Sequence, residues 1–223
     1  MNLTEIEQPL IHRGKPIPSI LASRPPAETT RGAINRLGPY VIHRKLSDGG
    51  SSRVYESRSL RGVAVAIKVL SRNAAKDEAR LLRFYQEARR LMQLDHPNLI
   101  RAMEVAEDQG RHYMVMEYVD GDSLANILMK RGRIDEFAAL RLIDSIAAGL
   151  SAAHDAGIIH RDVSPKNVMI RKDGCVKIGD FEFSKDFSED LDLTRQGFGL
   201  GTPDFMCPEQ FRHAKDVDAR SDI

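Results

Sequence analysis

The sequence predicts an α+β protein of two lobes, a small antiparallel sheet carrying one helix and then a helical lobe. Strand-like runs between residues 40 and 118 follow one another at intervals too short for helical crossovers, so they should pair antiparallel. Within them, only Ala74–Leu94 changes to a helical period. Beyond Val119-Asp120-Gly121 the apolar residues recur at helical spacing. A chain of 223 residues can bury a sizeable core as one domain or as two small lobes.

Residues 1–38 carry Pro9, Pro16, Pro18, Pro25 and Pro26 among polar and basic residues without sustained period, which reads as a leader or linker. Strands are expected from Tyr40-Val41-Ile42, at Val54-Tyr55 and over Val63–Leu70, separated by turns rich in Gly and Ser. Leu81, Phe84, Ala88 and Leu91 mark the buried side of the helix, and Arg80, Arg83, Arg89 and Arg90 its solvated side. His96-Pro97-Asn98 stops it. Two more strands are expected, near Leu99–Ala106 and over His112–Tyr118, giving residues 39–118 five strands and one helix. From residue 119 a short helix is expected over Asp122–Lys130 and a long one over Asp135–His154. The long one has an apolar stripe of Leu140, Ile143, Ala147 and Leu150, widened by Leu142 and Ile146, and Gly149 allows a close neighbour. The lobes meet at residues 117–121, where a cleft is the natural ligand site.

Composition narrows the function. A formal net charge of +1 argues against nucleic acid as the main partner. Cys175 and Cys207 are too few for a disulfide scaffold and lack metal-ligand spacing, so a reducing, cytoplasmic setting is expected. No run reaches the length of a membrane span, and Met1–Gln8 lacks a signal peptide's order.

The informative stretch is Ile158–Ile170, a charged knot between apolar runs, followed by Asp173-Gly174 as a turn between short strands. Asp162 stands five residues before Asn167, a pairing suited to orienting a hydroxyl and holding a metal. His160-Arg161-Asp162 and Asn167 resemble the catalytic loop of the eukaryotic-type (Hanks-type) serine/threonine protein kinases, and the style of the loop that of bacterial members. The resemblance implies a bilobal protein-kinase-like fold: sheet N-lobe over 39–118, partial helical C-lobe over 119–223.

A nucleotide set follows from that resemblance. Leu46–Tyr55 resembles the glycine-rich hairpin over the phosphates of ATP, with Gly49 at the middle glycine, Gly50 beside it, and Ser47 and Ser52 at the other two. Lys68 in Val65-Ala66-Ile67-Lys68 would meet the α- and β-phosphates and pair with Glu87. Met116 would guard the back pocket, the backbones of Glu117 and Val119 would bond the purine edge, and Val54, Ala66 and Met169 would sandwich the ring. Taken singly these are ordinary core, turn or surface residues, and the family match gives them their roles.

For transfer, Asp162 would take or orient the proton of the substrate hydroxyl, while Asn167 and Asp180 would hold Mg²⁺, with Mn²⁺ as a substitute. His160 would buttress the loop near Phe181. Within this transfer site two residues depart from the family pattern: Ser164 replaces a common lysine, with Lys166 two positions later, and Glu182 replaces the glycine of the Asp-Phe-Gly motif. Gly201–Gln210 resembles the end of the activation segment, with Cys207 at a usual alanine. Thr202 would frame a serine or threonine acceptor. Thr194, then Ser188, is the expected activating phosphosite, read by Arg161.

The match runs from about Gly38 to Ile223, and Ser221-Asp222-Ile223 looks like the start of the large central C-lobe helix. The C-lobe is therefore expected to be incomplete, leaving the apolar face of Asp135–His154 without partners. The expected activity is transfer of the ATP γ-phosphoryl group to a protein hydroxyl. A pseudokinase-like module binding nucleotide or protein is the alternative, with a regulatory protein or self-association as further partners.

Overall fold

A computed structural model of the chain describes residues 35–181, 205–212 and 217–223. Six strands form one antiparallel sheet: β1 (Arg36–Leu37), β2 (Tyr40–Asp48), β3 (Ser52–Arg58), β4 (Ala64–Leu70), β5 (Ala102–Asp108) and β6 (Arg111–Glu117), in the order β1-β2-β3-β4-β6-β5. The expected five strands are present. The sixth, β1, pairs Arg36 with Val41 and buries Leu37 to 1% exposure, inside the stretch expected as leader. A two-residue strand has no periodicity to announce it.

β4 is the central strand, and its register decides the placement of Lys68. Val65, Ile67 and Val69 face a cluster with Leu37, Tyr55, Tyr113 and Val115. Alternation puts Ala66, Lys68 and Leu70 on the other side, where Leu70 joins the cluster beneath α1 (Glu78–Leu91). The helix begins later than expected because Asp77 caps it, accepting hydrogen bonds from the N–H groups of Ala79 and Arg80. Ala74–Lys76 forms a separate 3₁₀ turn. Phe84, Glu87, Ala88 and Leu91 are the buried residues of α1. Fully burying a side chain such as Phe84 contributes about 1.5–3 kcal/mol. Glu87 is an acid on that apolar stripe, and a buried carboxylate needs a partner.

The second lobe holds β7 (Gly121–Ser123), α2 (Leu124–Arg131), α3 (Glu136–Asp155), β8 (Val168–Arg171) and β9 (Val176–Ile178). Strands β7, β8 and β9 form a small sheet whose β8–β9 turn is the expected Asp173-Gly174. Ser123 caps α2 and Asp135 caps α3. Gly149 brings α3 against β9: a Cβ there would stand 2.9 Å from Ile178 Cδ1 and 3.1 Å from the Asn98 carbonyl oxygen. The contact selects the inward face of α3. Leu142, Gly149, Leu150 and Ala153 are buried, whereas Leu140 and Ile143 of the expected stripe are 56% and 61% exposed, as is Phe137 at 77%. Apolar residues lie nearly all round this helix, so periodicity alone could not say which of them meet β9.

One apolar cluster joins the lobes. It includes Leu70, Phe84, Leu91 and Met114 from above and Leu150, Ala153, Ile158, Ile178 and Phe181 from below. Residues 98–101 stitch the lobes beside it: Ile178 N–H donates to the Asn98 carbonyl (2.8 Å), Ile100 N–H to the Ile178 carbonyl (2.7 Å), and Glu117 N–H to the Arg101 carbonyl (2.9 Å).

Candidate active site

A cleft of about 340 Å³ opens where the two lobes meet. Leu46, Ser47, Val54 and Ala66 line its roof, Met116 to Val119 its back, and Lys166, Asn167, Met169 and Asp180 its floor. All the residues expected around a purine ring therefore share one cavity. Gly49 and Gly50 do not line it; they sit exposed at the tip of the β2–β3 hairpin, where Gly49 N–H donates to the Ser52 carbonyl (2.9 Å). Asp48 holds that tip through Lys45 (2.5 Å) and Arg53 (2.9 Å). At the mouth, Arg44 pairs with Glu56 (2.6 Å) and donates to the Tyr118 hydroxyl (3.3 Å), joining roof to linker.

Lys68 reaches the edge of the cleft through Asp180, which lines it. Its ammonium lies 2.9 Å from Asp180 Oδ1 and 3.5 Å from Glu87 Oε1, joining β4, α1 and the segment after β9. The Lys68 and Glu87 side chains are 12% and 9% exposed, so the pair is desolvated and removing either leaves a buried charge. The buried acid on α1 thus has its partner.

The loop between α3 and β8 carries the other expected residues. Asn167 Nδ2 donates to both the carbonyl oxygen (2.8 Å) and Oδ2 (2.9 Å) of Asp162. That turns the Asn167 amide oxygen to the opposite side. Asp180 and Asn167 offer hard oxygens in one cavity, and the Asp180 carboxylate is half exposed, so the donor set fits a small divalent cation that keeps waters. Among the described residues no group of three or more His, Cys, Asp or Glu stands ready for a metal, so any ion here would be completed by ligand oxygens.

His160 is structural, as expected. It is fully buried and packs on Phe181 at a 4.4 Å ring distance. Burial pushes its pKa below the ordinary 6.5, opposed by the hydrogen bond to Gly179 and by the charges of Asp222, Asp162 and Asp180. The neutral ring donates from Nε2 to the Gly179 carbonyl (3.0 Å) and accepts at Nδ1 from the Asp162 N–H (3.2 Å). Below about pH 6.5 the unfolded chain takes up a proton that the folded ring refuses, so stability falls as pH drops, by up to about 1.4 kcal/mol per pH unit. Urea midpoints followed from about pH 7 to about pH 5.5 should show this slope, and His160→Phe should remove that part of it.

Three functional side chains carry no role in the sequence reading. Asp222, with a fully buried carboxylate, accepts the N–H groups of His160 and Arg161 (both 2.8 Å) and lies 2.7 Å from His154 Nε2. Lys177 is buried, donating to Glu117 Oε2 (2.8 Å) and the Leu99 carbonyl (3.2 Å), and so braces the linker from below. Gln210 donates to the Arg161 carbonyl (2.7 Å). Each acts on residues 49 to 78 positions away, and no local pattern encodes such a partner. Glu182, Ser188, Thr194 and Thr202 lie outside the described residues.

A curled sheet lobe and a helical lobe around one cleft, with a lysine paired to a carboxylate from each lobe, define a protein of the protein-kinase-like class. The sequence profile described as "Protein kinase domain" matches residues 40–223, and the chain belongs to that family. It is 37% identical over 186 residues to serine/threonine-protein kinase PknL of Mycobacterium tuberculosis, covering 82% of this chain and 46% of that protein. It is 36% identical over 193 residues to serine/threonine-protein kinase pkn3 of Myxococcus xanthus, covering 82% of this chain and 35% of the relative. The chain thus spans less than half the length of these curated relatives. A crystal structure of the Mycobacterium tuberculosis PknI kinase domain aligns with a TM-score of 0.65 at 26% identity, covering 87% of this chain and 73% of that one. No helix among the described residues is long and apolar enough to cross a membrane.

Proposed function

We propose that the chain is the catalytic portion of an ATP-dependent serine/threonine protein kinase, with residues 36–118, β1 included, as its N-lobe and 119–223 as part of its C-lobe. The observation that supports this reading is that Asn167 and Asp180 line one cleft, with Lys68 paired to Asp180 and Asp162 held against Asn167. The apolar end, from Val54 and Ala66 to Met169, suits a purine. Lys68 meets the phosphates, and Glu87 keeps its ammonium in place. Mg²⁺, held by Asn167 and Asp180, would offset charge on the phosphate oxygens. Asp162 orients the acceptor hydroxyl and takes its proton as the oxygen bonds to the γ-phosphorus and ADP leaves. The printed names of the relatives favour serine or threonine as acceptor.

The test is incubation of the complete polypeptide with γ-labelled ATP, Mg²⁺ and a generic protein acceptor, read by phosphoamino-acid analysis. Label in phosphoserine and phosphothreonine is expected. Nucleotide binding without label would instead support a regulatory binding module.

The substitution at residue 164 has a counterpart in this geometry. Ser164 is turned into the interior at 6% exposure, while Lys166 lines the cleft beside Asn167. Lys166 is therefore a cation placed to meet the transferred group. Lys166→Met is expected to lower kcat about tenfold, equivalent to about 1.4 kcal/mol, with a smaller change in KM for ATP. An unchanged kcat would remove Lys166 from the site.

A further inference from the structure

Gln210 is 2% exposed, and both ends of its amide are engaged. Nε2 donates to the Arg161 carbonyl (2.7 Å), and Oε1 accepts from the Cys207 N–H (3.1 Å) and Sγ–H (3.0 Å). Arg161 has φ +67°, a left-handed conformation that strains a residue with a Cβ and persists only where the surroundings enforce it. Its N–H is held by Asp222 Oδ1 (2.8 Å). Both polar backbone atoms of this strained residue are therefore gripped by buried side chains from the C-terminal part of the chain. The carbonyl that Gln210 grips belongs to the peptide plane leading into Asp162, so rotating that plane re-aims the Asp162 side chain.

We propose that Gln210 is a positioning residue: through the Arg161 carbonyl it fixes the peptide that aims Asp162, and through Cys207 it ties that aim to the segment 205–212. A primary amide suits the task because the site needs a donor and an acceptor on one planar group. Loss of the grip should lower the rate of the chemical step and leave nucleotide binding alone, because neither Gln210 nor Arg161 lines the cleft. The kinetic part rests on the phosphoryl-transfer reading; the conformational part does not.

The test uses Gln210→Glu and Gln210→Met in the full chain. Glutamate keeps the size and shape. Ionised, it sets a carboxylate against the Arg161 carbonyl; protonated, it restores an O–H donor there and an acceptor for Cys207. Burial raises the pKa of a carboxyl, so kcat of Gln210→Glu divided by that of the parent should rise about fivefold or more from about pH 8 to about pH 6, with KM for ATP within about twofold. The division cancels the pH dependence that the parent enzyme shows on its own. A flat ratio, or a loss carried by KM for ATP, overturns the proposal.

Hydrogen exchange supplies the arm that needs no catalysis. In Gln210→Met, and in Gln210→Glu at about pH 8, amides of residues 159–163 should exchange about tenfold faster while those of β4 and α1 keep their rates. Unchanged exchange at 159–163, or acceleration spread evenly over β4 and α1, overturns it. A parent that transfers no phosphate would sink the phosphoryl-transfer reading alone, and the exchange arm would still decide the role of Gln210.

Discussion

Asp162→Asn is expected to reduce phosphoryl transfer by on the order of 10²–10⁴-fold, the range for losing a positioned general base. Asparagine is nearly isosteric, and its amide oxygen can still accept from Asn167 Nδ2, which stands 2.9 Å from the carboxylate now. The backbone contacts survive as well: the residue's N–H stays on His160 Nδ1 and its carbonyl on Asn167 Nδ2. What is lost is the ability to take a proton. The fall should therefore lie in kcat, with nucleotide affinity within about twofold, because under the proposed function nucleotide binding falls to Lys68, the linker and the floor of the cleft. Rapid-quench transfer at saturating ATP, paired with equilibrium binding of a fluorescent nucleotide, separates the two quantities. Retention of more than about a tenth of the parent rate would assign the proton to another group.

Asp222→Ala is expected to destabilise the fold by about 3–5 kcal/mol, because it leaves two inward-facing N–H donors unsatisfied at about 1–3 kcal/mol each. The carboxylate satisfies two backbone donors and faces His154 Nε2, and alanine would leave the N–H groups of His160 and Arg161 without their acceptor inside the protein. Arg161 would then keep its left-handed φ with only its carbonyl held. Asp222→Asn should cost less, about 1–3 kcal/mol, because one oxygen remains to accept. Urea unfolding of the two variants beside the parent gives the ordering. A loss below about 1 kcal/mol for the alanine variant would mean that the loop is held by something else.

The site was legible where short-range pattern and partner coincide. Alternation along Val65–Leu70 places Lys68 on the side of β4 away from the Leu37–Tyr113 cluster, whereas Glu87 had its role from the family match alone and its burial on α1 appears only in the fold. The order His160-Arg161-Asp162, Asn167, Asp180 marks the loop and segment from which Asn167 and Asp180 reach the floor of the cleft, with Asp162 held against Asn167. The clamps on that floor were not legible. Asp222 closes on a loop 61 and 62 residues earlier, Gln210 on one 49 residues earlier, and Lys177 on a linker 60 residues earlier. An acid at a turn, a glutamine after a Pro-Glu pair and a lysine in a strand are each ordinary until the chain folds back on them. The inward face of α3 stayed ambiguous for a related reason, because its selection depends on the fit of Gly149 against Ile178.

The ion pairs around the cleft differ in exposure, and ionic strength therefore acts on them unequally. The roof is fastened by Lys45–Asp48, Arg53–Asp48 and Arg44–Glu56, whose basic side chains are 37–55% exposed, within easy reach of counterions. The back wall is fastened by Lys177–Glu117, whose ammonium end is only 9% exposed and hence poorly screened. Added salt therefore loosens the hairpin overhead first and leaves the linker behind it taut. The chamber yields from the solvent side inward.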